Sequence, residues 1–287
     1  MKLLNIIIII IFFYSPHSYS SECASLFEAK IHVISPDTQR SSERRLSLNK
    51  FVISRGLWRY NRYLGTFFKN ALKKLSSNSS WFDLGAGLAN AQRDFAIKNP
   101  KLNADFIAVS YQKPQNEELI KFERTNPNFR YIDGNYFENL NLPIKSADLV
   151  TDLFGPLSYT RDITHTLYKS LNLLKEGGTY TAILAIEDTT ALLTAMYRRD
   201  HMGGSASVEI LNTIYDRKGE KIDFTEFFKK VRGVDILLVE SRSSFLIDTP
   251  VIKIAFRRNS DTLFVPNLEL SSYVDSSPPT RIFSWHD

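Results

Sequence analysis

From residue 80 onward, short apolar segments alternate with stretches of helical periodicity, and this alternation constrains the fold more than any other feature of the sequence. Such an alternation is typical of a parallel sheet covered by helices. The predicted strands lie at 81–84, 106–110, 130–133, 147–151 and 179–186. The predicted helices between them lie at 89–98, 116–125, 161–174 and 189–197.

The pattern changes near the end of the chain. A helix predicted at 222–231 leads into two strands, 234–241 and 250–257, and the segment between these strands is too short for a crossover helix. The two strands should therefore pair antiparallel. The sequence thus predicts an α/β fold: a seven-stranded, mostly parallel sheet with helices on both faces and a C-terminal antiparallel hairpin. The polar segment 259–287 is predicted to be a tail.

The N-terminal 20 residues have the pattern of a signal peptide. Lys2 precedes an apolar run over 3–13, and Ser18 and Ser20 are the small residues expected before a cleavage site. This predicts export to the periplasm or the medium. The alternative is an uncleaved membrane anchor, although the run is shorter than the roughly 20 residues of a spanning helix. Residues 21–50 are interpreted as a lead-in segment.

Residues 51–78 carry six Lys and Arg residues and no Asp or Glu. Apolar residues recur there at helical spacing, which predicts one basic amphipathic helix over 56–76. Such a segment can contact phosphates, nucleic acid or an anionic membrane. The alternative, which the sequence favours, is a solvated helix face. The domain itself is predicted over 79–258.

A glycine-rich turn, FDLGAGLA at 82–89, follows the first predicted strand and precedes a helix. Glycines at such a position allow a tight turn and let a ligand approach the backbone closely at the start of the helix. The alternative is a turn that needs glycine for its own backbone conformation only. The position between a strand and a helix favours a ligand-binding loop.

Three segments together resemble the class I S-adenosylmethionine (SAM)-dependent methyltransferases, over about residues 80–258. They are FDLGAGLA at 82–89, SADLVTDLFGPLSY at 146–159 and LYKSLNLLKEGGTYTAIL at 167–184. The terminal hairpin is similar to that of the family as well. The resemblance implies a Rossmann-like sheet, SAM as cofactor, and methyl transfer to a small-molecule or protein acceptor.

The resemblance also implies where the cofactor would lie. Gly85, Ala86 and Gly87 would line the methionine and ribose parts of SAM, and Asp83 would shape that loop and reach the SAM amino group. At the end of the second strand the family usually has an acidic residue for the ribose hydroxyls, and this chain has Ser110. A neutral hydroxyl binds less strongly than a carboxylate does, so this difference predicts weaker SAM binding.

Five further residues follow from the same resemblance. Gln112 is a second neutral partner for the ribose, Asn135 lies where the family often has an Asp against the adenine amino group, and Tyr136 would flank the adenine ring. Asp152 would orient the substrate or accept its proton, with Tyr159 as a second catalytic candidate. The alternative for Asp152 is a carboxylate that caps a turn.

Other functions were weighed against this one. An exported binding protein that keeps the fold with a weakened SAM site is favoured by Ser110 and by the signal peptide. A nicotinamide-dependent oxidoreductase is disfavoured by the terminal hairpin. Nucleic acid is disfavoured as a substrate, because the loop after the fourth strand lacks the Asn-Pro-Pro-Tyr pattern. Membrane contact is expected only through an uncleaved N-terminal segment. No residues have metal-ligand spacing, so no metal is expected.

Overall fold

The computed structural model describes eight parts of the chain, which are residues 55–111, 114–135, 137–160, 162–185, 214–215, 223–244, 247–274 and 280–286. The helices are α1 (Leu57–Tyr63), α2 (Gly65–Lys74), α3 (Asn90–Lys98), α4 (Glu117–Thr125), α5 (Pro156–Tyr159), α6 (Ile163–Asn172) and α7 (Phe224–Lys229). The strands are β1 (Ser80–Leu84), β2 (Asp105–Val109), β3 (Phe129–Ile132), β4 (Ala147–Leu153), β5 (Leu174–Ala185), β6 (Ile214–Tyr215), β7 (Val234–Ser244), β8 (Ile247–Arg258), β9 (Asn267–Val274) and β10 (Thr280–His286).

Seven strands form the main sheet in the order β3-β2-β1-β4-β5-β8-β7. The first five run parallel, and β8 pairs antiparallel with both β5 and β7. The predicted α/β class, with a mostly parallel Rossmann-like sheet and a C-terminal antiparallel hairpin, is therefore confirmed. The hairpin is antiparallel because the few residues between β7 and β8 leave no room for a helical crossover.

Both faces of the sheet are covered, which explains why its strands are apolar along their length. All five residues of β1 are buried, as expected for a strand packed on both sides. On one face the core includes Leu167 of α6 and Phe227 of α7. On the other face it includes Tyr60 of α1 and Phe68 of α2, together with residues of α3 and α4.

Three of the described helices, α4, α6 and α7, begin at a side chain that caps them. Asn116 accepts a hydrogen bond from the Leu119 amide at the start of α4. Asp162 does the same for His165 in α6, and Asp223 for Thr225 in α7. Such caps satisfy amides that have no partner within the helix. The helix after β1, α3, has Ala89 as its N-cap residue and no side-chain cap, and the N-cap residues of α1, α2 and α5 provide none either.

The basic segment forms two helices rather than the single helix predicted over 56–76. The chain turns at Leu64, and Gly65 takes a φ of +74°. This conformation is strained for other residues and open to glycine. The break lets Tyr60 and Leu64 pack on the same core as Phe68, so α1 and α2 both lie against the sheet.

The prediction of a tail after residue 258 is wrong for the segments that form β9 and β10. These strands pair antiparallel, and β10 also pairs with β6 in a second, three-stranded sheet. Val265 and Leu268 are buried in the core against α6, where the Leu268 amide donates to the Thr164 hydroxyl. A few apolar residues in a polar segment were enough to fix it to the domain.

The predicted signal peptide, the lead-in segment and the predicted helix at 189–197 lie outside the described residues. Among the described residues, no helix is long and apolar enough to cross a membrane.

Candidate functional site

Two loops meet at the carboxyl ends of the parallel strands β1 and β4. One is the β1–α3 loop, residues 85–89, and the other is the β4–α5 loop, residues 154–155. These strands are neighbours in the sheet, with Leu84 paired to Asp152. Ligands of open α/β sheets bind at this end of the strands.

The backbone of these loops departs from ordinary conformations. Gly85 and Gly87 have positive φ angles of +75° and +56°. Ala89 and Phe154 also have positive φ angles, +52° and +53°, although neither is a glycine. A side chain in this left-handed region costs about 1–2 kcal/mol, and such strain is concentrated at ligand sites. One strained residue therefore lies in each of the two loops.

The amides of the β1–α3 loop divide into two groups. The Gly85 and Ala86 amides both donate to the Val109 carbonyl of β2, at 2.8 and 3.0 Å. The Gly87 and Leu88 amides have no acceptor in the part of the chain that the structure describes. They lie at the uncapped start of α3, where the helix dipole favours negative charge. The part of the loop that can bind a ligand is thus 87–88, and Gly85 and Ala86 are held by the sheet.

Gly85 contacts the second loop directly. A Cβ atom on Gly85 would lie 2.5 Å from the Gly155 Cα. A Cβ atom on Gly155 would overlap the Leu84 carbonyl and lie 2.6 Å from Asp152 Oδ1. The space on that side of Gly85 is filled by the backbone of the protein, so this glycine is required by packing between the two loops.

Asp83 is fully buried at the end of β1, and its carboxylate is bonded within the protein. It accepts hydrogen bonds from the Tyr60 hydroxyl, at 2.8 and 3.0 Å, and from the Thr151 hydroxyl, at 2.7 Å. Burial raises the pKa of Asp83 to about 7, although both hydrogen bonds and the nearby Arg55 guanidinium lower it. Asp83 therefore ties α1 to the sheet, and it has no exposed surface for a ligand.

Asp152 is equally buried, at the end of β4. Its two oxygens accept from the Gly155 amide at 2.7 Å and from the Leu157 amide at 3.0 Å. Burial raises the pKa of this carboxyl to about 7 as well, against the lowering effect of the two amides. This is the geometry of a carboxylate that caps the turn into α5. Such a cap was the alternative to a catalytic role for Asp152.

Arg55, which the sequence did not single out, lies over the start of the β4–α5 loop. It donates to the Leu153 carbonyl at 2.8 Å, and its guanidinium lies 5.5 Å from the centre of the Phe154 ring. Its charge lowers the pKa of both Asp83 and Asp152. Arg55 thus places a partly exposed cation at the carboxyl end of β4.

Ser110 directly follows the last residue of β2, Val109, and is partly exposed. Its hydroxyl is hydrogen-bonded to the hydroxyl of Tyr131 on β3. Tyr131 in turn donates to the Gly87 carbonyl at 2.6 Å. Tyr131 was missed from the sequence, because nothing in its alternating strand distinguishes it from an ordinary core residue. The contact holds the glycine loop through the carbonyl oxygen of Gly87 and does not use the Gly87 amide.

The remaining predicted residues are less fully described. Asn135 is exposed after β3, and its side-chain oxygen accepts from Asn139 at 3.2 Å. Tyr159 is the last residue of α5. Gln112 and Tyr136 lie outside the described residues. Among the described residues, no group of His, Cys, Asp and Glu could hold a metal ion.

Comparison with known proteins gives similarity at the level of structure. No family model and no curated protein matches the sequence. Similar solved structures include a protein from Galdieria sulphuraria assigned as a sarcosine dimethylglycine methyltransferase. It is 13% identical over 70% of this chain and 86% of its own, with a TM-score of 0.46. A geranyl diphosphate methyltransferase in complex with SAM is 10% identical over 66% of this chain and 83% of its own, with a TM-score of 0.43.

Proposed function

We propose that this protein is a SAM-dependent methyltransferase that acts on a small-molecule or protein acceptor. The observation that carries the proposal is the pair of amides at Gly87 and Leu88, which have no acceptor among the described residues. They lie at an uncapped helix start, next to a strained Ala89. These backbone features, together with the three methyltransferase-like sequence segments, support the view that the loop binds a ligand and does not serve folding alone.

The residues present fit SAM at several points. The Gly87 and Leu88 amides would donate hydrogen bonds to oxygen atoms of the cofactor. Ser110 would form a hydrogen bond with a ribose hydroxyl, and the Asn135 side-chain oxygen would accept one from the adenine amino group. Arg55 would hold the carboxylate of the methionine part. When bound, SAM supplies a methyl group already activated on its sulfonium. The task of the chain is then to align the acceptor, so a buried Asp152 that only shapes the loop is compatible with this chemistry.

The alternative is a binding protein that keeps the fold with a weakened SAM site. It is favoured by one specific observation: both carboxylates at the ends of β1 and β4 are fully buried and bonded within the protein. Ser110, the neutral residue at the end of β2, favours it as well. The predicted export signal points the same way, because SAM is made in the cytosol.

Replacing Ser110 with Asp tests the site by a gain of affinity. A carboxylate there would form a charge-assisted bond to a ribose hydroxyl, about twice as strong as the neutral bond. We expect SAM to bind roughly tenfold more tightly to Ser110→Asp than to the unaltered protein, which corresponds to about 1.4 kcal/mol. Isothermal titration calorimetry measures both affinities. The matched control is Ser110→Asn, whose side chain is similar in size to Asp and carries no charge. Its affinity for SAM should increase little.

The outcomes separate the two functions. Saturable SAM binding by the unaltered protein, with S-adenosylhomocysteine detected by mass spectrometry once an acceptor is supplied, supports the enzyme. Binding by Ser110→Asp alone supports the weakened site. If neither protein binds millimolar SAM while circular dichroism shows both folded, the proposal is rejected.

A further inference from the structure

A concave surface lies between α1, α2 and α3, and its described lining includes no residue of the two loops. It is a groove of about 1010 Å³, which we call the basic groove. Four cationic side chains line it, from three different helices: Arg62, Lys69, Lys73 and Lys98. None of the described residues that line it is acidic. A groove lined by one sign of charge concentrates ligands of the opposite sign.

The charges of these four side chains are not balanced by ion pairs with other described residues. All four are exposed, and within the described parts of the chain none of them pairs with a carboxylate. Elsewhere on the surface, Lys145, Lys175 and Lys229 each form an ion pair at 2.6–2.7 Å. Four cations on three neighbouring helices, with no acidic residue among the described lining, make the basic groove a local excess of positive charge.

An exposed aromatic ring completes the groove. Trp58 of α1 lines it with 59% of its surface exposed, a large fraction for the largest side chain. Buried Leu57 and Leu72 form part of its lining, so the surface is partly apolar. Cations that follow a backbone of phosphates, together with an aromatic ring on which a base can stack, are the combination found in single-strand binding grooves.

We propose that the basic groove binds a single strand of nucleic acid, with phosphates on Arg62, Lys69, Lys73 and Lys98 and a base stacked on Trp58. A concave surface suits a flexible strand, whereas a bilayer is flat on this scale and reaches only the rim. The sequence alone favoured a solvated helix face and disfavoured nucleic acid. It did not show that Lys98 of α3 joins the cations of α2, or that Trp58 stays exposed beside them.

The test is the fluorescence anisotropy of a labelled uridine homopolymer of about 20 nucleotides, a length that covers one or more binding sites. We compare the unaltered protein with the triple variant Arg62→Gln/Lys69→Gln/Lys73→Gln. The matched control, Lys121→Gln/Arg124→Gln/Arg130→Gln, removes three exposed cations from α4 and β3. Each lost phosphate contact lowers affinity about fivefold near 0.1 M salt, so the groove variant should bind about 100-fold more weakly. The control should stay within about twofold of the unaltered protein.

Two further measurements identify the mode of binding. The slope of log affinity against log salt should decrease in magnitude by about 2 in the groove variant, as three phosphate contacts are lost. Trp58→Ala should weaken binding about tenfold, and Trp58→Phe should restore most of that loss through stacking. Because all the altered side chains are exposed, thermal unfolding should be unchanged in every variant.

Three results would overturn the proposal. One is a homopolymer that does not bind the unaltered protein. Another is equal loss in the groove variant and the α4–β3 control, which would indicate attraction by net charge alone. The third is co-sedimentation with phosphatidylserine vesicles, lost in Trp58→Ala, in the absence of homopolymer binding. That result would assign the groove to a membrane surface.

Discussion

Gly85→Ala is expected to lower the free energy of unfolding by about 2–5 kcal/mol. Two physical effects add up: about 1–2 kcal/mol for a side chain at a φ of +75° and about 1–3 kcal/mol for forcing a Cβ atom to within 2.5 Å of the Gly155 Cα. Urea denaturation measures the loss. Because the contact joins two loops at the carboxyl end of the sheet, the variant should also lose any ligand bound there.

Gly177→Ala is the matched control, because Gly177 has a φ of +80° with no atom near its Cβ position. It should cost only the conformational part, about 1–2 kcal/mol. Gly155→Ala isolates the cost of steric overlap, since Gly155 has an ordinary φ of −101° and its Cβ position is occupied by other atoms. Equal losses for Gly85→Ala and Gly177→Ala would show that the two loops do not pack together. The glycine at position 85, Gly85, would then be needed for another purpose, such as the close approach of a ligand to the backbone.

Stability should fall as the pH rises from about 4 to about 7. Burial raises the pKa of both Asp83 and Asp152 from 3.8 to about 7. Over this range the folded protein holds two protons that the unfolded chain has released, so unfolding is favoured as protons become scarce. A shift of this size corresponds to about 4 kcal/mol for each carboxyl at full extent. Urea denaturation at pH 5 and pH 8 should show the folded protein markedly more stable at pH 5.

Asp83→Asn removes one of the two titrating groups and keeps the shape of the side chain. Its amide can still bond the Tyr60 and Thr151 hydroxyls, so the variant should fold and show about half the pH dependence. Asp223 and Asp261, whose pKa values are lowered by hydrogen bonds to Thr225 and Lys145, act in the opposite direction but only at lower pH. Stability that rose between pH 5 and pH 8 would contradict the burial of these two carboxyls as neutral groups.

Some parts of the site followed directly from local sequence. The turn at 85–89 was predicted between a strand and a helix, and it lies there with two glycines at positive φ. Ser110 was predicted at the end of β2 and directly follows its last residue. These features depend on short-range rules, because backbone conformation and strand ends are fixed by a few neighbouring residues.

Other parts depended on contacts between distant segments. Asp83 was expected to face a cofactor, and it instead accepts a hydrogen bond from Tyr60 on α1. Tyr131, 44 residues from Gly87 along the chain, holds the loop by a hydrogen bond that no local pattern encodes. Whether a carboxylate faces solvent or the core is decided by the element that packs over it, and a sequence pattern does not name that element.

The sequence by itself determined the succession of strands and helices along the chain, the antiparallel hairpin and the position of the glycine turn, because periodicity and connection length act locally. Only the tertiary structure decided that residues 267–274 and 280–286 form strands, that Gly85 packs on Gly155, and that Lys98 lies with Arg62 and Lys69 in one groove. Each of these features depends on which distant surfaces meet, and burial and charge are properties of those surfaces.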